Sequence, residues 1–153
     1  MLLSRALAAT LCQEFRANGQ RIVFTNGCFD IVHIGHTRYL QAARNLGDVL
    51  FVGVNSDASV KRLKGASRPV NAELDRAELL SALCSVDYTC IFEEDTPFDL
   101  IQALQPDILV KGGDYTPETI IGADIVLARG GRVEVIPFVE GRSTTRILER
   151  LSS

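Results

Sequence analysis

The sequence carries no excess of positive charge: 16 Lys and Arg stand against 19 Asp and Glu, a formal net charge of −3. The broad basic field that neutralises a polynucleotide backbone is missing, so nucleic acid is not expected as a partner. Long apolar runs are missing too. Met1 to Thr10 is apolar, but Arg5 interrupts it and Gln13, Glu14 and Arg16 follow. It offers neither a signal-peptide core nor the ~20 apolar residues of a membrane span. A soluble, unexported, cytoplasmic protein with no membrane partner is expected.

Cysteine is sparse. Cys12, Cys28, Cys84 and Cys90 show neither C-x-x-C spacing nor the density of a disulfide scaffold, and no cysteine stands near His33 or His36 in zinc-motif spacing. Reduced thiols and no protein-held metal are expected. With only five Pro, 46% hydrophobic and 23% charged residues, and neither repeats nor low-complexity tracts, disordered and fibrous classes are excluded. The length of 153 residues suits one domain. The expected division is an N-terminal helix over 1–19 and an α/β core over 21–153.

What is present is alternation. Leu3, Leu7, Leu11 and Phe15 recur every four residues before Gly19, a helical spacing with a stop. Residues 21–25 read as a strand ending in the turn pair Asn26-Gly27, followed by a helical pattern with Tyr39, Leu40, Ala43 and Leu46. The apolar run 48–54 reads as a strand covered on both faces, parallel to the first. A helix over 72–83, a strand over 88–92, a helix started by Thr96-Pro97 and a strand over 107–110 continue the pattern. A helix over 118–128, a strand over 132–136 and a helix from Ser143 close it. Five strands alternating with helices predict a Rossmann-like, doubly wound, mostly parallel α/β sheet with helices on both faces. Its ligands bind beyond the carboxyl ends of the strands, and the polar motifs do lie in loops after strands.

The most specific motif is Thr25-Asn-Gly-Cys-Phe-Asp-Ile-Val-His-Ile-Gly-His36. Asn26-Gly27 allows a tight turn and close backbone approach, and the helix entered near Ile34 turns its unpaired N–H groups toward an anion. His33 and His36 become neighbours if that turn is helical, with Gly35 leaving space for a phosphate chain. A single histidine at a helix start is usually a cap or a surface group. Both histidines of the sequence in one such loop point instead to a triphosphate.

Three further stretches are candidates. Lys61, Arg62, Lys64 and Arg68 set four cations within eight residues of a Gly-containing loop, a clamp for a sugar phosphate or a solvated charge run. Lys111-Gly-Gly-Asp-Tyr115 follows the fourth strand and allows close approach to a nucleoside, or is a simple turn. In Glu140-Gly-Arg-Ser-Thr-Thr-Arg146, the hydroxyls of Ser143, Thr144 and Thr145 suit a helix cap or a phosphate. Arg76, on the helix predicted over 72–83, is spaced as a surface partner of Glu73.

Gly27, Phe29, Asp30, His33, Gly35 and His36 resemble the G-x-F-D-x-x-H-x-G-H loop of the H-x-G-H nucleotidyltransferases, and within them the cytidylyltransferase-like group. Residues 140–146 resemble the segment with which that family grips the triphosphate. Val54-Asn-Ser-Asp57, Lys61-Arg-Leu-Lys-Gly65, Arg68-Pro-Val70, Phe92-Glu-Glu-Asp-Thr-Pro97 and Lys111 to Tyr115 are similar to the heptose 1-phosphate adenylyltransferases, from Arg21 onward. The resemblance implies transfer of AMP from ATP, with Mg²⁺, to D-glycero-β-D-manno-heptose 1-phosphate, giving ADP-heptose and pyrophosphate.

It also implies roles. His33, His36 and Lys64 would be catalytic. Thr25, Asn26, Gly27, Cys28, Phe29, Lys111, Gly112, Gly113, Asp114, Gly141, Ser143, Thr144 and Thr145 would join the histidines around ATP, and Asp30, Lys64 and Arg76 would face the sugar phosphate. Cys28 fills a variable position of the motif. Relatives commonly form dimers, so a homo-oligomer is expected. Many carry a fused ribokinase-like domain; none precedes the motif here, which implies a separate kinase polypeptide. An acceptor phosphate, with a second pKa of about 6, is already ionised and attacks the α-phosphorus without a protein base. Two alternatives share these motifs: a cytidylyltransferase acting on glycerol 3-phosphate or a phospho-amine, and a catalytically silent nucleotide-binding subunit.

Overall fold

In the computed structural model, residues 1–113, 115, 116, 119–137 and 147 are described. Asp114, Gly141, Ser143, Thr144 and Thr145 lie outside them, as does the helix expected from Ser143. The elements run α1 (Arg5–Ala17), β1 (Ile22–Gly27), α2 (Ile34–Arg44), β2 (Val49–Asn55), α3 (Asp57–Lys64), α4 (Glu73–Ser81), β3 (Tyr88–Phe92), α5 (Phe98–Leu104), β4 (Ile108–Gly112), α6 (Ala123–Ala128) and β5 (Arg132–Ile136).

The five strands form one parallel sheet in the order β3-β2-β1-β4-β5. Strand periodicity divides the core. Ile22, Phe24, Val49 and Phe51 pack with Ala8 and Cys12 of α1, Leu100, Ile101 and Leu104 of α5, and Ala123 and Val126 of α6. Val23, Leu50, Val52 and Val54 face the other way, onto Leu40 and Ala43 of α2 and Ala77 and Leu80 of α4. The sheet is thus covered on both faces, as the doubly wound reading requires.

The amino ends of the strands are held by carboxylates. Asp48, Asp87 and Asp107 accept the backbone N–H groups of Arg21, Leu50 and Ile22 at 2.7, 2.7 and 2.8 Å. The chain leaves β1 for β2 and β3 on one side and returns to β4 on the other. That reversal places the switch point between β1 and β4, where an open sheet receives its ligand.

One expected loop is a helix. Residues 57–64 form α3, started by Ser56, whose hydroxyl accepts the Ser59 N–H at 3.2 Å, and by Glu73, whose carboxylate accepts the Asp57 N–H at 2.7 Å. Lys61, Arg62 and Lys64 occupy its last turn, where cations suit the helix dipole. Helix α6 begins at Ala123, later than the expected 118.

Candidate active site

Pairing between β1 and β4 covers Val23 with Ile108 and Phe24 with Leu109, although β1 runs on to Gly27 and β4 to Gly112. The ladder therefore opens at its carboxyl end. The Tyr39 hydroxyl fills the opening, 2.6 Å from Thr25 Oγ1 and donating to the Val110 carbonyl at 3.3 Å. Burial pushes the Tyr39 hydroxyl up to about 12. Thr25 is fully buried, so its side chain, expected around ATP, instead braces the floor of the crevice. Periodicity placed Tyr39 on α2 but gave no hint of this contact.

His33 is the N-cap of α2. Its Nδ1 accepts the Gly35 N–H at 3.1 Å, and the Nδ1 of His36 accepts the His33 N–H at 3.4 Å, a capping box made of two imidazoles. A backbone N–H can only donate, so each ring carries its proton on Nε2. Burial, with His33 and Lys64 nearby, lowers the pKa of His36 to about 4 and keeps that ring neutral. The ring centroids lie 4.0 Å apart. Paired Nε2–H groups above a helix start are a donor set for phosphate oxygens.

Phe29 supports this pair from below. It adopts φ 47°, uncommon for a residue with a side chain, and its buried ring meets His36 edge-on at 5.3 Å. The same ring crosses Gly27, where an added Cβ would lie 3.0 Å from Phe29 Cε2. Glycine there is a packing requirement.

Asp30 and Arg76, expected at the sugar phosphate, are held by the protein. Asp30 Oδ2 accepts from Arg68 Nε at 2.5 Å, and Oδ1 accepts the N–H groups of Val70 and Asn71 at 2.8 and 3.0 Å. These bonds, above all that from the Asn71 N–H, outweigh burial and hold its pKa below the usual carboxylate range. Arg76 is no surface partner of Glu73: it is 1% exposed and donates to the Asn71 carbonyl at 3.0 Å, the Cys28 carbonyl at 2.5 Å and Asp57 at 2.8 Å. It ties the motif loop, the 65–72 segment and the start of α3 together.

Lys64, exposed at the end of α3, acts electrostatically on both His36 and Cys28. Burial raises the Cys28 thiol against the cations Lys64, Arg76 and Arg68, so it is a packed thiol at the base of the loop. Lys111, at the carboxyl end of β4, lies over the Tyr115 ring at 5.6 Å, and burial lowers its pKa. Gly113 adopts φ 113° and gives its N–H to the Ile136 carbonyl at 3.0 Å, so that N–H closes the β4–β5 ladder. The structure thus gathers His33, His36, Cys28, Phe29 and Lys64 on one side of the crevice and sets Lys111 and Gly112 across it on β4.

No group of three or more His, Cys, Asp and Glu among the described residues could hold a metal ion. The carboxylates nearest the motif, Asp30 and Asp57, are engaged by Arg68 and Arg76, so the described residues form no metal cage. No helix among them is long and apolar enough to cross a membrane.

The sequence pattern of the cytidylyltransferase-like family matches residues 24–150. The bifunctional protein HldE of Trichlorobacter lovleyi is 59% identical over 148 residues, 97% of this chain and 30% of that protein. Its counterpart in Syntrophotalea carbinolica is 61% identical over 136 residues, 89% of this chain and 28% of that protein. The chain thus spans about 30% of the length of the curated relatives it matches. Among solved structures, a lipopolysaccharide core biosynthesis protein from Thermoplasma volcanium is 30% identical, with a TM-score of 0.63 over 81% of this chain and 100% of that one. A pantoate-β-alanine ligase from Francisella tularensis is 14% identical with a TM-score of 0.66, covering 95% of this chain and 69% of that one, a likeness of fold alone. With its two-histidine helix cap at the switch point and a family match over most of its length, the chain belongs to the cytidylyltransferase-like family and is a nucleotidyltransferase.

Proposed function

We propose that the chain transfers AMP from ATP to D-glycero-β-D-manno-heptose 1-phosphate. A phosphate oxygen of the sugar attacks the α-phosphorus in line, the bond from that phosphorus to the bridging oxygen breaks, and pyrophosphate leaves. The observation that carries the reading is the histidine capping box, in which both Nδ1 atoms accept backbone N–H groups and leave the ring protons to the two Nε2–H groups. They stabilise charge that grows on the triphosphate, and their orientation precedes substrate arrival. Lys64 steadies the acceptor phosphate, and Lys111, Gly112 and Asp114 meet the nucleoside. Gly141, Ser143, Thr144 and Thr145 grip the triphosphate; Mg²⁺ would be held by the ATP phosphates rather than by a cage of protein carboxylates, and would supply charge neutralisation there.

The name of one relative supports a sugar acceptor: it is a lipopolysaccharide core biosynthesis protein, 30% identical to this chain. The resemblance also supports a cytoplasmic homo-oligomer as the working form. The test is pyrophosphate release with ATP or CTP against heptose 1-phosphate or glycerol 3-phosphate. Turnover confined to ATP with the heptose phosphate is expected; a preference for CTP with glycerol 3-phosphate would replace the reading by a cytidylyltransferase.

A further inference from the structure

The four cations of residues 61–68 separate in the structure. Arg62 pairs with Asp95 at 2.6 Å and donates to the Glu93 carbonyl, Lys61 is exposed, and Lys64 ends α3. Arg68 alone is drawn inward, with a side chain 15% exposed. Its Nε lies 2.5 Å from Oδ2 of Asp30, whose own side chain is 1% exposed. The other oxygen of Asp30 is taken by two backbone N–H groups, and the Asn71 side chain donates to the Asp30 carbonyl at 2.5 Å. The carboxylate is fixed from several directions, and Arg68 is fixed on it.

Only Nε of the Arg68 side chain hydrogen-bonds to the described residues. Among the described residues, none takes the edge formed by its two terminal nitrogens. That edge matches two oxygens of a phosphate, a geometry a lysine cannot offer. Asp30, which anchors Arg68, belongs to the loop that carries His33 and His36, so the ion pair holds the guanidinium against that loop.

We propose that Arg68 binds the phosphomonoester of the acceptor beside Lys64, and that Asp30 is a positioning residue that aims it. The inference rests on the reading above that a phosphorylated acceptor is the nucleophile. A dianionic phosphate then meets two cations of different kinds: a mobile point charge on α3 and a preoriented fork on the 65–72 segment. Because Asp30 lies three residues before His33 in the same loop, it sets the distance between the acceptor and the triphosphate. A guanidinium already held by an ion pair also loses less freedom when the ligand arrives.

The test compares Arg68→Lys and Arg68→Gln with the wild type by steady-state kinetics and by melting. Gln keeps an N–H for Asp30 without the charge, so the fold survives in at least one variant. Both should raise the acceptor KM by about 10- to 100-fold, the loss of a charged bidentate contact, while the KM for ATP stays within about two-fold. Asp30→Asn should raise the acceptor KM in the same sense. An unchanged acceptor KM with a lowered melting temperature overturns the proposal and leaves Arg68 a loop anchor. A rise in KM for ATP alone overturns it as well. If the wild type uses glycerol 3-phosphate instead, the heptose reading fails, but the same comparison with that acceptor still decides the role of Arg68. If the wild type binds no phosphomonoester, both fail.

Discussion

His33 and His36 hold each other in place through one backbone: the Nδ1 of His36 accepts the N–H of His33, and the rings stand 4.0 Å apart, centroid to centroid. The Nδ1 of each ring is spent on the helix cap, so the proposed contact with phosphate falls to Nε2. The cap and the proposed catalytic role therefore rest on different atoms of one residue, which makes them separable by substitution.

His36→Asn keeps an acceptor near the Nδ1 position and removes the Nε2–H donor. Turnover should fall by about 10²- to 10³-fold, the cost of one donor at developing charge. Stability should change by less than the 0.5–2 kcal/mol typical of a lost cap, that is by under about 0.5 kcal/mol. Kinetics and urea unfolding on the same sample check this, and normal turnover would remove His36 from the chemistry.

The low pKa of His36 has a consequence for stability. The folded ring takes its proton only near pH 4, whereas in the unfolded chain it does so near 6.5. Between these values the unfolded state binds more protons, so stability rises with pH through that window and is lost as pH falls from 6.5 toward 4. Unfolding curves across the window should show a slope that His36→Asn lacks. An identical slope in both would assign it to other groups.

Arg76→Met removes a buried cation and strands the Cys28 and Asn71 carbonyls together with Asp57. Asp57 keeps 34% of its side chain exposed, so the cost should sit at the low end for a broken buried pair, about 3 kcal/mol. A surface ion pair would predict no more than about 0.5 kcal/mol. Chemical denaturation separates these values.

Gly27→Ala places a methyl group 3.0 Å from the Phe29 ring. Phe29 cannot yield without disturbing His36, which it meets at 5.3 Å. Stability should fall by about 1–3 kcal/mol, as for an overpacked site, and the KM for ATP should rise with it. An unchanged KM for ATP would show that the loop adjusts without moving the histidine.

Much of this was legible because strands carry a residue pattern of their own. The predicted strands 88–92, mostly apolar, and 132–136, where Val133 and Val135 alternate with Arg132 and Glu134, coincide with β3 and β5. Helix α3 was hidden because its signals are of another kind: only Ser59 and Val60 are buried, and a serine cap, a distant glutamate and a cationic last turn stabilise it. An apolar stripe does not exist to be read. The burial of Arg76 was not legible for a related reason: charge suggests the surface, and the carbonyls of Cys28 and Asn71 that make its burial tolerable are brought together only by the fold. The double-histidine cap was legible as a motif but not as a hydrogen-bond pattern, since histidine is not among the usual cap residues. Thr25 sat inside the most specific motif, and only the opening between β1 and β4 shows that its side chain turns to Tyr39.

The most direct measurement offers the protein ATP and CTP together with D-glycero-β-D-manno-heptose 1-phosphate and Mg²⁺, and identifies the products by mass. The account predicts ADP-heptose and pyrophosphate in equal amounts, with no cytidine product and no product from His36→Asn on the same timescale. Formation of a CDP-sugar, or ADP-heptose made equally well by His36→Asn, would contradict it.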